Sequence, residues 1–403
     1  MIKQRISKLT AELDDLKAYH TEASKPLLQN PKPLHKAQQT TNLTKFDQSA
    51  WTEDFKIDRK NIKLETMVTS KLSSVLDGTE KTSQTIIAIK DKNSYAAIQS
   101  NFRISIIEKG VEVYSEEFKD LKKRFSDVIY MPNRYYLYET KNPSIYIKDP
   151  DSSEVKLFCR DLQGNSNFGR AIRPALNGKG IFFRFYANTF SCMEVTPEGT
   201  KGRELEHRVG TFNSATEFAS LGPKGNYLVS ITYPVWLNLT KFDFEKMTSE
   251  SIFEDRIKHE GETAISLTSL AVCPRSKYVA VSTRSSNPSM GVHMDKILIY
   301  EFTEGTLALK DSASLRHDKL PVIYSLCFGR YYGDYMTLVG VSKNPHTPIS
   351  VFVVDAEDSR VFEVKGQRGA IFESKDTVRL LRVGDMFYTS NSKCDMIEIS
   401  VKH

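Results

Sequence analysis

The chain of 403 residues is short of several things, and each shortage excludes a class of protein. Its five cysteines, Cys159, Cys192, Cys273, Cys327 and Cys394, are odd in number and far apart. A disulfide framework is therefore not expected, and a reducing compartment fits better. Nowhere do apolar residues approach the ~18 in a row that a membrane-spanning helix needs. The opening MIKQRISKLTAELDDLK alternates charges with single aliphatics and holds no apolar run of a secretory leader, so the expected location is the cytoplasm. Neither sign of charge dominates: 56 Lys and Arg against 50 Asp and Glu leave +6, which neither demands nor forbids an acidic partner. With 40% hydrophobic residues and a mean hydropathy of −0.39, the chain is globular and not disordered.

Signatures of local chemistry are missing too. There is no Gly-x-Ser-x-Gly elbow, no phosphate loop ending in Lys-Ser/Thr, no His-Glu-x-x-His and no Cys-x-x-Cys. None of the eight histidines stands at metal-ligand spacing from another His or Cys. Asp149 and Asp151 flank Pro150 and read as a solvated hairpin tip, and Cys273 and Cys327 as buried, inert thiols. No catalytic residue, metal ligand or cofactor is assigned on this basis.

What is present begins with an amphipathic segment. Ile2, Ile6, Leu9, Leu13 and Leu16 are spaced 4, 3, 4, 3, which aligns one stripe of a helix with a partner helix. Residues 1–24 are expected to form a short helix that serves dimerisation or docking, or lies back on its own domain. Three heptads are marginal alone, because helix nucleation is costly. Residues 25–60, with Pro26, Pro31 and Pro33 followed by AQQTTNLTKFDQS, read as a linker pinned by Trp51 and Phe55.

From residue 61 the text turns to short runs rich in Val, Ile, Tyr, Phe and Thr between turn residues, the pattern of many short strands. One phrase recurs, a polar turn entering an aromatic-led apolar run. It appears as KNSYAA, PNRYYLY, NGKGIFF, PKGNYLVS and PRSKYVAVS, with weaker copies GDYMTL and VGDMFY. The leading positions Tyr95, Tyr136, Ile181, Tyr227, Tyr278, Tyr335 and Phe387 lie 41, 45, 46, 51, 57 and 52 residues apart. That is the period of a four-stranded propeller blade. The seventh unit stops one strand short, while residues 62–69 alternate apolar and polar and have no blade of their own. They are expected to supply the missing outer strand and close the ring of residues 61–403, because an open end would expose unpaired backbone.

The phrase Pro-x-x-[Lys/Asn]-Tyr-[Leu/Val]-x-x-Ser resembles the turn between the first two strands of a WD40 repeat. In the fifth unit His259, Ser282, Asp295 and Tyr300 look like that family's His, Ser, Asp and Trp positions, with Tyr300 in place of the Trp. The resemblance implies an all-β, seven-bladed WD40-like β-propeller, in which these four side chains form a structural hydrogen-bonded network. The Phe-Arg-Arg-Gly motif of phosphoinositide-binding propellers is absent.

In such a ring the connections from one outer strand to the next inner strand share a face with those between second and third strands. Read together, they gather Lys122, Lys123, Arg124, Arg170, Arg173, Arg284, Arg316, Lys343 and Arg368, with Tyr233 and Trp236. A basic rim with two aromatics suits an acidic or phosphorylated protein segment, or a nucleic-acid backbone. The sequence is read as a non-enzymatic protein-binding scaffold within a larger assembly, homo- or hetero-oligomeric through its N-terminal helix. Two rivals stay open: a propeller hydrolase or lactonase with its site in the central channel, and a nucleic-acid-binding propeller.

Overall fold

The computed structural model describes most of residues 63–402; residues 1–62, the expected helix and linker among them, and parts of the connections between strands fall outside the described residues. Within Ile57–His403, one compact unit, every described element is a strand. The first, β1 (Lys63–Lys71), stands ahead of a regular series.

Four strands then make each sheet, in chain order. The first sheet is β2 (Gln84–Asp91), β3 (Ser94–Gln99), β4 (Arg103–Glu108) and β5 (Val111–Glu117). The second is β6 (Phe125–Met131), β7 (Arg134–Glu139), β8 (Ser144–Lys148) and β9 (Lys156–Arg160). The third is β10 (Ala171–Pro174), β11 (Ile181–Tyr186), β12 (Thr189–Val195) and β13 (Lys201–Arg208). The fourth is β14 (Ala215–Leu221), β15 (Tyr227–Thr232), β16 (Trp236–Asp243) and β17 (Thr248–Arg256). The fifth is β18 (Ala264–Val272), β19 (Tyr278–Asn287), β20 (Val292–Thr303) and β21 (Thr306–Leu315). The sixth is β22 (Ile323–Tyr332), β23 (Tyr335–Ser342), β24 (Ile349–Asp355) and β25 (Val361–Gln367).

The seventh sheet takes its three inner strands from the end of the chain, β26 (Leu381–Val383), β27 (Met386–Ser390) and β28 (Asp395–Lys402). Its outer strand is β1, which pairs antiparallel with β28 from Lys63 opposite Lys402 to Lys71 opposite Asp395, with one bulge after Val68. The first strand of each sheet packs beside the first strand of the next, and β26 packs beside β2, so the series closes on itself. Seven four-stranded sheets thus form a β-propeller.

Each recurring turn phrase enters the second strand of a sheet, and the aromatic that leads it starts the buried run. Tyr95, Tyr136, Tyr227, Tyr278 and Phe387 are all buried there. Middle strands are covered on both faces by neighbouring sheets, so they read as nearly unbroken apolar runs such as YLVSIT. Fourth strands have one face in water and alternate accordingly, as KGRELEHR does. Accordingly the apolar interior is divided into wedges between adjacent sheets. Phe183, Phe190 and Leu205 meet Phe218, Leu228 and Phe242 between the third and fourth. Tyr95 and Ile107 meet Tyr388 and Met396 across the join of the seventh and first.

Strands run longer than their apolar runs. In the fifth sheet the hairpin β19–β20 continues through the polar residues TRSSN and VHMDK, with Asp295 opposite Arg284. Backbone pairing is indifferent to side-chain polarity and carries the strands past their apolar runs.

The two faces of the ring differ. On one, here the turn face, connections join first to second and third to fourth strands, and six of the thirteen are two residues long. Lys109 and Gly110 both have positive φ, 52° and 80°, the conformation of a tight hairpin turn that follows the strand twist. On the other, here the loop face, each outer strand is joined to the next inner strand by six to thirteen residues.

Candidate functional site: the central channel and its mouth

The innermost strands share a local device. In β2, β6, β14, β18 and β22 the pairing to the second strand slips by one residue near the loop-face end. Such a bulge re-aims the side chain that follows it. In four of these strands that residue is polar: Asp127, Glu217, Ser269 and Ser325.

Each of the four accepts the backbone N–H of an inner residue in the next sheet. Ile172 donates to Asp127 Oδ2 at 3.2 Å and Leu270 to Glu217 Oε2 at 3.0 Å. Leu326 donates to Ser269 Oγ and Leu380 to Ser325 Oγ, both at 3.0 Å. Inner strands of neighbouring sheets do not form a ladder with one another, so these side chains satisfy buried N–H groups that would otherwise be costly to leave unpaired.

Asp127 does more. Arg173 Nη1 donates to its Oδ2 at 2.5 Å and Arg379 Nη1 to its Oδ1 at 2.8 Å, while its own neighbour Val128 donates a backbone N–H at 3.0 Å. Arg379 leads into the seventh sheet and Asp127 belongs to the second, so this bond bridges two sheets that are not neighbours. Burial alone would raise the Asp127 carboxyl, but Arg379, then Arg173, outweigh it and hold it below the usual carboxylate range. Arg173 also lies over the Phe218 ring, 5.6 Å from its centroid. Glu217 is the opposite case: burial raises its carboxyl, and Arg173 and the Leu270 N–H offset this only in part.

These groups stand around a cavity of about 300 Å³ lined by residues from the inner edge of all seven sheets, which is the central channel. Its wall carries Arg173, Arg379, Arg382 and Glu217 among apolar side chains that include Phe218, Leu270, Leu326, Phe328 and Leu380. Arg382 turns toward the turn face, its Nε donating to the Gly384 carbonyl at 2.7 Å. Cys327 also lines the channel, its thiol pushed up to about 12 by burial.

Of the residues expected on a basic rim, the structure redirects Arg173: it is a channel residue committed to Asp127, because the bulged inner strands gather charge around the axis. Trp236 is half-buried at the loop-face end of β16, and Arg284 lies toward the loop-face end of β19, opposite Ser266 and Asp295. The others, Lys122, Lys123, Arg124, Arg170, Tyr233, Arg316, Lys343 and Arg368, lie outside the described residues.

Of the network expected in the fifth unit, His259 and the side chain of Asp295 lie outside the described residues, and Ser282 and Tyr300 lie within them. Ser282 is buried, but its hydroxyl bonds with Thr268 Oγ1 at 2.7 Å and reaches the Ser269 carbonyl at 3.4 Å, so it ties second strand to first and not to Tyr300. Tyr300 is buried in the wedge between fourth and fifth sheets, and burial raises its hydroxyl. Asp295 lies within β20, opposite Arg284.

Sequence reasoning missed Asp127, Glu217, Ser269, Ser325 and Arg379. A signal existed for the first four: each stands nine or ten residues ahead of the aromatic at 136, 227, 278 or 335 and is followed by an apolar residue. Among the described residues no group of three or more His, Cys, Asp or Glu side chains is placed to hold a metal ion. No described helix is long and apolar enough to cross a membrane.

No family profile matches the chain and no curated protein sequence matches it. Solved structures do. The Myceliophthora thermophila Cps50 (Swd1) beta-propeller domain superposes with a TM-score of 0.53 at 10% identity, covering 84% of this chain and all of that one. A crystal structure of a protein from Lactobacillus plantarum gives 0.51 at 10% identity, covering 70% of this chain and 84% of that one. The fold these structures share with the chain is a β-propeller.

Proposed function

We propose that the protein is a non-enzymatic interaction scaffold, a propeller subunit of a larger assembly whose loop face receives protein partners. The observation that carries this reading is the asymmetry between the two faces. A frame of paired, mutually buried strands gives its turn face connections of two to seven residues, whereas the outer-to-inner connections on the loop face run from six to thirteen. Loops positioned by a rigid scaffold are where binding residues concentrate. The sequence between β5 and β6, and after β21 and β25, also carries Lys122, Lys123, Arg124, Arg316 and Arg368, which suits acidic or phosphorylated segments.

The N-terminal stripe Ile2, Ile6, Leu9, Leu13 and Leu16 is the second docking element, which joins the ring to a partner helix. The test is the native mass and membership of the complex formed by the full-length protein in its own cells. Replacing Leu9 and Leu13 by Asp lowers the native mass. Reversing Lys122, Lys123 and Arg124 to Glu removes at least one member. The turn-face control Lys246→Glu, at a side chain that is 76% exposed, leaves both unchanged. A native mass equal to one copy of the chain, insensitive to all three changes, overturns the reading.

A further inference from the structure

The charges at the channel mouth exceed what bracing the ring requires. A single carboxylate, Asp127, holds two guanidinium groups, and it takes only one nitrogen, Nη1, from each. Among the described residues Nε and Nη2 of Arg379 have no hydrogen-bond partner, and Nη1 of Arg173 is the only one of its nitrogens engaged. Both side chains border the cavity and keep 22% and 23% of their surface accessible, so they are not sealed in. Both are anchored through Nη1 on Asp127, which also accepts the Ile172 and Val128 N–H groups. A planar fork held in this way matches the oxygens of a carboxylate or phosphate.

The rest of the wall has a different character. Phe218, Leu270, Leu326 and Leu380 make most of it apolar, and a volume of about 300 Å³ is at the small end of ligand pockets. Among the described residues of the wall Glu217 is the one acid, and burial raises its carboxyl.

We propose that the central channel is a binding site for a small organic anion, its carboxylate or phosphate head held by Arg173 and Arg379 and its apolar body packed on Phe218, Leu270, Leu326 and Leu380. This goes beyond the scaffold reading, which concerns the loops and stands or falls by other measurements.

The test is calorimetric titration of the full-length protein with four six-carbon probes: hexanoate, hexyl phosphate, hexanol and hexylammonium. At least one of the anions binds with one site per chain, and the alcohol and the ammonium bind weaker by about tenfold or more. Binding by only one anion identifies the head group. Arg379→Gln weakens the anion by about tenfold, whereas Lys246→Gln on the turn face does not. The charge comparison on the unaltered protein decides the matter even where Arg379→Gln fails to fold. Amide hydrogen exchange of the same unaltered protein places the site, with added protection in β6, β14 and β22. Failure of both anions to bind overturns the proposal, as does equal affinity for hexanol or protection confined to outer strands.

Discussion

At the scale of single residues, two buried carboxyls on inner strands, Asp127 and Glu217, are shifted in opposite directions. Asp127 is lowered, so its contribution to stability is present above the ordinary Asp value and is lost as pH falls through its folded value. Glu217 is raised, so its contribution is present below the ordinary Glu value and is lost as pH rises through its folded value. Glu217→Gln keeps an acceptor for the Leu270 N–H and has no proton to lose. We therefore expect the variant to gain on the wild type in melting temperature as pH is raised from about 4 to about 8, with the wild type losing ground through that window. Thermal melts across that range check this, and a difference independent of pH contradicts it. Neither carboxyl is distinguishable from a surface residue in the text FSDVIYM or ATEFASL. Their burial is created by the axis of the ring, which no local pattern announces.

At the scale of elements, the legible strands and the illegible ones differ for a physical reason. Second strands are preceded by a tight turn and led by an aromatic, two signals that reinforce each other at Tyr227 and Tyr278. Inner strands carry a bulge, and one extra residue breaks the alternation from which a strand face is read. In IYSLCF the bulge before Ser325 puts neighbouring residues out of step, so the hydroxyl that bonds Leu380 looks like a random polar insertion. Ser269 is the cleanest place to measure what the device contributes, since it is buried and its hydroxyl accepts the Leu326 N–H while approaching Glu217 at 3.5 Å. Ser269→Ala leaves that N–H unpaired and is expected to cost about 1–3 kcal/mol. Urea denaturation gives the value, and a loss within error of zero shows that the relay between sheets is not a stability element. The strand ends were equally illegible: TRSSN and VHMDK are polar text, yet they extend the hairpin of β19 and β20 by continued pairing.

For the whole molecule, the repeat period and the incomplete seventh unit made the ring readable, because each blade must bury two faces and so repeats one hydrophobic plan. The channel was not readable, since its residues come from seven segments spread from Ala88 to Arg382. Closure by β1 is the feature on which the ring as a body depends. Removing residues 1–71 leaves β28 with an open edge and uncovers Val401, which is buried in the intact ring. Such a chain is expected to melt at a lower temperature and to self-associate through the bare edge. Calorimetry with light scattering tests this, and an unchanged melting temperature with a monodisperse monomer contradicts it.

The pairing of β1 with β28 also orders events during synthesis. The earliest strand of the propeller to leave the ribosome must wait for the latest, Asp395–Lys402, before it has anything to pair with. Through the whole of translation both β1 and the unfinished ring remain available to other strands, and that interval is when a chaperone has work to do on this chain.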